Sequence, residues 1–305
     1  MTKSDMTRRG FLVRASVLGS AAAGAPALLS ACSSSGSGSG GTSSSVLSKA
    51  KKQGYISVGV AGEIPYGYVD KTTGKVTGEA PVVAAAIFSK LGVPKLKAQT
   101  VSFDSLIQGM NAGDFDMVCA GMDILPARCQ HATFSVPDYQ APVAFLVPAG
   151  NPKGVKNFAD VKRTGVKIAA ETGAVEITYA TSSGVPSSQI TTYTSPDEML
   201  SAVTTGRVYA AMLTDISLKS LAKQNPGAHV EVTPGFKPVI NGKPQAEIGG
   251  FVFRKNETSL VSQFNAQLEK MHSDGEWLKL VQPFGFTKEN LPPANLTTKE
   301  LCSGK

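Results

Sequence analysis

The chain has 305 residues, 42% of them apolar and 17% charged, enough to bury a core and too apolar for a disordered protein; at about 150 residues per domain, two domains are expected. The net charge of +7 overstates the body, because residues 1–31 hold four basic side chains and one acidic one, leaving 26 Lys and Arg against 22 Asp and Glu. With no basic stripe and one Trp, no nucleic-acid partner is expected; three His (His131, His229, His272) and four Cys with no close His/Cys pairing argue against a structural zinc site, and no metal or cofactor is expected.

The N-terminus reads as an address. Thr7-Arg8-Arg9-Gly10-Phe11-Leu12 places a twin arginine before the apolar stretch Ala15–Ala31, which is 17 residues long and interrupted by Gly19, Gly24 and Pro26. That is too short and too broken to remain as a membrane span, so it is read as a signal segment. Leu29-Ser30-Ala31-Cys32 has the form of a lipobox, in which Cys32 is lipidated and becomes the new N-terminus. An ordinary secretory signal with a chance Cys is the alternative. Residues 33–45 are all Ser, Gly or Thr, a composition that cannot bury apolar surface and suits a flexible tether of roughly 20 Å typical reach. The reading is a signal peptide over 1–31, a lipidated Cys and tether over 32–45, twin-arginine export, and a body held outside the cell membrane by its lipid.

The body alternates strands with helices. Tyr55–Val60 alternates in the manner of a half-buried strand, and Pro81 is expected to open a helix with Val83, Ala86, Ile87 and Leu91 on one face, stopped by Gly92 and Pro94. Further strands are expected at Phe115–Ala120, Val143–Val147, Val166–Ala170, Tyr209–Leu213 and Gly250–Arg254, with a last helix over Leu260–Val281. Cys119, Cys129 and Cys302 are odd in number, so one thiol stays unpaired within the chain, and a Cys119–Cys129 bridge is one option that sequence leaves open.

The body also carries an echo at an offset of 93 residues. Asp104-Ser105-Leu106-Ile107, Met110, Gly113 and the strand to Ala120 match Asp197-Glu198-Met199-Leu200, Val203, Gly206 and the strand to Leu213. In this register Gly121-Met122 meets Thr214-Asp215, so Met122-Asp123 and Thr214-Asp215 both leave the C-terminal ends of matching strands, where open α/β sheets bind ligands. Chance similarity between two ordinary helix–strand units is the alternative.

From about residue 46 to 295 the chain resembles the type-II periplasmic solute-binding proteins of amino-acid ABC importers (solute-binding family 3). The resemblance rests on Pro65-Tyr66-Gly67-Tyr68, Thr77-Gly78-Glu79, Phe103-Asp104-Ser105-Leu106-Ile107, Gly113-Asp114-Phe115-Asp116, Ile124-Leu125-Pro126-Ala127-Arg128, Asn151-Pro152-Lys153-Gly154, Thr172-Gly173-Ala174-Val175-Glu176 and Pro283-Phe284-Gly285-Phe286. Within that family, residues 78–81, 173–176 and 284–287 are most similar to the ectoine and hydroxyectoine-binding subgroup. The resemblance implies an α/β fold of two lobes joined by two crossover strands with a ligand cleft between them. Lobe 1 would be 46–146 plus 249–305 and lobe 2 would be 147–248.

It also implies site residues. Arg128 matches the arginine that grips a ligand carboxylate, a role suited to a planar guanidinium; a surface ion pair is the alternative. Tyr66 and Phe103 match aromatic cleft walls, although either ring could be ordinary core. Glu63 stands where the subgroup has an acid facing a delocalised cation. Gly173, Ala174, Val175 and Glu176 lie at a strand-to-helix turn whose backbone N–H groups suit a carboxylate, and Thr214 and Asp215 match the position that receives an amino group. Two departures stand out. Asp123 replaces the family's small hydroxyl residue and the subgroup's aromatic, and Asp215 is an acid that the subgroup often lacks. Three acids (Glu63, Asp123, Asp215) against one Arg favour a ligand with more positive charge than ectoine. The expected function is therefore a non-enzymatic, monomeric, membrane-anchored binding lipoprotein that delivers ectoine, hydroxyectoine or a related zwitterion to ABC importer permease subunits. The alternatives are a binder of a cationic amino acid or amine, and a cyclic-acid dehydratase on the same fold.

Overall fold

A computed structural model describes residues 45–304. The signal, lipidation and tether readings fall on residues 1–44, together with Ser45, and so lie outside the described residues apart from Ser45 itself, which caps the first helix by accepting the Ser48 N–H. That helix, α1 (Val46–Gln53), leads into β1 (Ile56–Val60), a small hairpin β2 (Tyr68–Val69) and β3 (Val76–Thr77), and α2 (Glu79–Lys90). Helix α2 starts two residues before Pro81, and its buried stripe is wider than expected: Ala80, Pro81, Val83, Ala84, Ile87 and Phe88 face inward, while Ala86 and Leu91 are half-buried. The chain continues through β4 (Leu96–Thr100), α3 (Leu106–Ala112), β5 (Met117–Asp123), α4 (Pro126–Cys129), β6 (Thr133–Phe134) and β7 (Tyr139–Ala141).

It then crosses to a second sheet with β8 (Val143–Pro148), α5 (Phe158–Thr164), β9 (Ile168–Glu171), α6 (Glu176–Ser182), β10 (Ile190–Tyr193), α7 (Pro196–Thr204), β11 (Ala210–Thr214), α8 (Asp215–Gln224) and β12 (Val230–Val232). A hairpin, β13 (Val239–Ile240) and β14 (Lys243–Pro244), precedes the return strand β15 (Glu247–Phe253). The rest is helical: α9 (Thr258–Asp274), α10 (Glu276–Val281) and α11 (Thr298–Ser303). The single helix expected over Leu260–Val281 is two, because Gly275 takes a left-handed φ of 77° and stops α9.

The sheets share one plan. The first runs β4-β1-β5-β15-β6 and the second β10-β9-β11-β8-β12. In each, three parallel strands are followed by an antiparallel strand delivered by a crossover, β15 beside β5 and β8 beside β11. The echoed strands β5 and β11 therefore hold the same place in their sheets, each after a helix closed by a left-handed glycine, Gly113 or Gly206. All of β8 belongs to the second sheet, so Val143–Leu146, assigned to lobe 1 from the sequence, hydrogen-bond into lobe 2. The crossovers lie side by side, β7 pairing with Glu247–Gly249 of β15.

Apolar clusters cover both faces of each sheet, as helices on both sides of a parallel sheet require. Alternate residues of β5 serve opposite clusters: Met117 and Cys119 face α2, and Val118, Ala120 and Met122 face Phe103 and Phe134. This decides the disulfide. Cys129 packs on the Phe103 side and bonds Cys302, with Cα atoms 5.6 Å apart, whereas Cys119 is a buried free thiol on the other face. A Cys119–Cys129 bridge would have to pass through the sheet.

Candidate functional site

The C-terminal ends of β1 and β5 in the first lobe meet those of β9 and β11 in the second. Between them lies a cavity of about 20 Å³, room for about one water molecule. Glu63, Tyr66, Phe103, Gly121, Asp123, Tyr139 and Glu247 line it from the first lobe and crossovers; Glu171, Ala174, Glu176, Leu213 and Thr214 line it from the second.

The lobes touch at this cavity. Tyr66 Oη donates to Thr214 Oγ1 at 3.2 Å, and Ser217 Oγ donates to the Glu63 carboxylate. Arg128 Nη1 donates to the Asp123 carbonyl at 2.9 Å and Nη2 to the Gly173 carbonyl, in the opposite lobe, at 2.8 Å. Gly173, at a φ of 82°, sits so close to Asp104 that a Cβ there would lie 2.9 Å from the Asp104 Cβ, so glycine permits this approach of the lobes. Within the first lobe, Gly121 makes room for Tyr66, whose ring occupies the place a side chain would need.

Five carboxyl groups surround the cavity: Glu63, Asp123, Glu171, Glu176 and Glu247 are each 6% exposed or less. Burial is the largest influence on all five and raises every pKa. Glu63 is pushed up to about 7, with the Ser217 hydrogen bond opposing and the Asp123 charge adding. Asp123 rises to about 6, held back by Arg128, and Glu176 to about 8, with Asp123 contributing. Glu171 and Glu247 are driven well above the carboxylate range by burial and by their acidic neighbours. Asp123 Oδ1 and Glu247 Oε1 are buried with no hydrogen-bond partner among the described residues. Against these acids stands Arg128, whose guanidinium lies 5.3 Å from the Phe103 ring centroid and 3.8 Å from Asp123 Oδ2. Among the described residues, the site gathers five buried acids around one cavity with the Arg128 guanidinium at its rim.

Of the residues expected from the sequence, Glu63, Tyr66, Phe103, Gly121, Asp123, Ala174, Glu176 and Thr214 line the cavity. Tyr66 is also core, its ring 4.8 Å from that of Tyr139 and 5.5 Å from that of Phe286. Arg128 and Gly173 meet each other at the rim. Val175 is packed into the second lobe's core instead. Asp215 does not enter the cavity; its carboxylate pairs with Lys219 one turn along α8.

Sequence reasoning missed Glu171, Tyr139, Leu213, Ser217 and Glu247. Glu171 and Leu213 had a signal, since they end or nearly end strands whose following turns were singled out. Tyr139 and Glu247 lie on the crossovers, and the hydroxyl of Tyr139 donates to the Gly121 carbonyl at 2.7 Å.

A family model described as bacterial extracellular solute-binding proteins, family 3, matches residues 56–287. A probable amino-acid ABC transporter periplasmic-binding protein of Sinorhizobium fredii is 36% identical over 260 residues, covering 84% of this chain and 86% of the relative. Among solved structures, EhuB in complex with hydroxyectoine superposes with a TM-score of 0.76 at 30% identity, covering 85% of this chain and 98% of that one. An ancestral arginine-binding protein bound to arginine gives 0.66 at 28% identity, covering 76% and 98%. The matched family is one of solute-binding proteins, and the Sinorhizobium relative is a probable binding protein of an amino-acid ABC transporter. The two-lobe fold, the cleft at matching strand ends and these similarities agree: the chain belongs to family 3 of the bacterial extracellular solute-binding proteins, as the extracytoplasmic substrate-binding component of an amino-acid ABC importer.

Proposed function

We propose that this chain captures a compact amino acid or amine of net positive charge and hands it to its importer's permease subunits. One observation carries the reading: among the described residues, five buried carboxyl groups surround one small cavity, with the Arg128 guanidinium at its edge. Ionised acids at this depth are costly without a counter-charge, and a ligand cation supplies one. Glu63, Asp123 and Glu176 then act as the cation's seat, Tyr66 and Phe103 as its walls, and Arg128 offers its remaining N–H groups to a ligand carboxylate. Entry requires the lobes to part about β7 and β15, as hinge-type closure does. Similarity to the hydroxyectoine complex supports a second reading, in which the delocalised positive group of a zwitterion fills the same seat. A thermal-shift screen of ectoine, hydroxyectoine, the common amino acids and quaternary amines tests both. A ligand at 100 times its Kd stabilises the folded protein by about 2.7 kcal/mol, which is readily seen. Stabilisation by cationic amino acids is the expected result, and stabilisation by acidic or neutral ones alone would refute it.

We further propose that the protein is exported by the twin-arginine route as a monomer and anchored by lipid on Cys32. The support is Arg8-Arg9, Leu29-Ser30-Ala31-Cys32 and the Ser/Gly tether behind them. Cys32→Ala should release the protein from membranes or block its maturation. An unmodified mature N-terminus downstream of Cys32 in the wild type would contradict the anchor.

A further inference from the structure

Helix α4 is a single turn of four residues, none of them buried. A helix that short has no stability of its own. Yet Arg128, its third residue, makes two directed bonds, one to Asp123 in its own lobe and one to Gly173 across the cleft. Something must hold α4 in place for these bonds to form.

The adjoining residue supplies the support. Cys129 is bonded to Cys302, 173 residues away in α11. Helix α11 is itself short and unburied, but it is well fastened. Thr297 and Glu300 form a capping box, and the Thr298 hydroxyl donates to the Ser135 carbonyl at 2.6 Å. Leu301 and Cys302 pack with Cys129 on the cluster containing Phe103, Ile124 and Phe134. Phe103 is also the ring beside which the Arg128 guanidinium lies. The disulfide thus joins a one-turn helix bearing a cleft-spanning arginine to a docked C-terminal segment.

We propose that the Cys129–Cys302 disulfide is a positioning element for Arg128: it holds α4 in the register at which Arg128 latches the Gly173 carbonyl, and so sets how firmly the lobes stay closed. This role does not depend on the charge of the ligand, so the cation reading and the latch can fail separately. Without the disulfide, α4 frays, the guanidinium loses its fixed direction and the Gly173 turn is released, while both sheets remain intact.

Hydrogen exchange of the full-length protein in detergent, without ligand, tests this on four forms: wild type, Cys129→Ala/Cys302→Ala, Arg128→Ala and the triple variant. Peptides over residues 171–176 report the latch and peptides over β1 report global stability. The expected result is that disulfide loss and Arg128→Ala each speed exchange of the 171–176 turn by about tenfold, the effect of losing one charge-assisted hydrogen bond. The triple variant should be no faster than Arg128→Ala alone, because one contact is lost only once. Wild-type exchange in the disulfide-free protein, effects that multiply in the triple variant, or equal acceleration in β1 would each overturn the proposal. If the double variant does not fold, wild type reduced with a dithiol makes the same comparison without substitution.

Discussion

Ser217 Oγ donates a hydrogen bond to the Glu63 carboxylate, tying α8 of the second lobe to the loop after β1 of the first. The bond leaves the acid's charge largely unopposed, since burial still pushes Glu63 up to about 7. Glu63→Gln keeps an acceptor for Ser217 but removes the charge. Losing a hydrogen bond to a charged group costs about 1.5–3 kcal/mol, so arginine binding should weaken by roughly ten- to a hundredfold. Calorimetric titration checks this, with the thermal midpoint showing that the fold is kept. Unchanged affinity would remove Glu63 from the cation's seat.

Asp123 places a second acid beside Glu63 in the cavity. Asp123→Phe should shift preference from arginine towards hydroxyectoine by more than about tenfold, or 1.4 kcal/mol, by exchanging a charge for an aromatic wall. Competition between the two ligands on both proteins measures the shift.

The acids also predict a pH dependence. Glu63, Asp123 and Glu176 have folded-state pKa values of about 7, 6 and 8, all raised above their ordinary values near 4. A raised pKa means that the folded protein binds more protons than the unfolded chain between these limits. The stability linked to this is fully present below about pH 4 and is lost as pH rises through 6 to 8. The ligand-free protein should therefore melt at least about 3 °C lower at pH 8 than at pH 5. A cation favours the charged acids, so its affinity should rise over the same interval. A thermal midpoint that climbs from pH 5 to pH 8 without ligand would contradict the assignment.

Arg128 and Asp215 were expected to share one site, and the structure separates them. Arg128→Ala removes the latch to Gly173 and a carboxylate partner together. Losing one member of a buried charge pair costs roughly 3–5 kcal/mol, so affinity should fall at least about a hundredfold. Asp215→Asn removes only an exposed pairing with Lys219, of the kind worth about 0.3–0.5 kcal/mol, and should change affinity by less than about threefold. A large loss of binding in Asp215→Asn would put the acid back in the site.

Much of this was legible in the chain. The strands β5 and β11 were readable because each follows a helix and a glycine stop, and the matched order of the two sheets explains why the pattern repeats. The split of the last helix at Gly275 was not, since a lone glycine inside a helical pattern signals either a tolerated defect or a stop. Lys219, four residues after Asp215, was a visible warning that the acid had a partner on its own helix. Glu171 and Glu247 were hidden for a different reason. Each sits at the end of a strand, where a solvated acid is ordinary, yet both are buried at the cavity where the two lobes meet. The disulfide was equally hidden, because it depends on which face of the sheet each thiol occupies.

The central claim is that an acidic cage selects a cation, and calorimetric titration with arginine and with hydroxyectoine near pH 7, each in two buffers of different ionisation enthalpy, tests it most directly. The buffer dependence counts the protons that leave the cage when the cation enters. The account predicts that arginine binds with net proton release and at least about tenfold more tightly than hydroxyectoine, a margin of 1.4 kcal/mol. Tight binding of hydroxyectoine with no response to arginine, or arginine binding without release of protons, would contradict it.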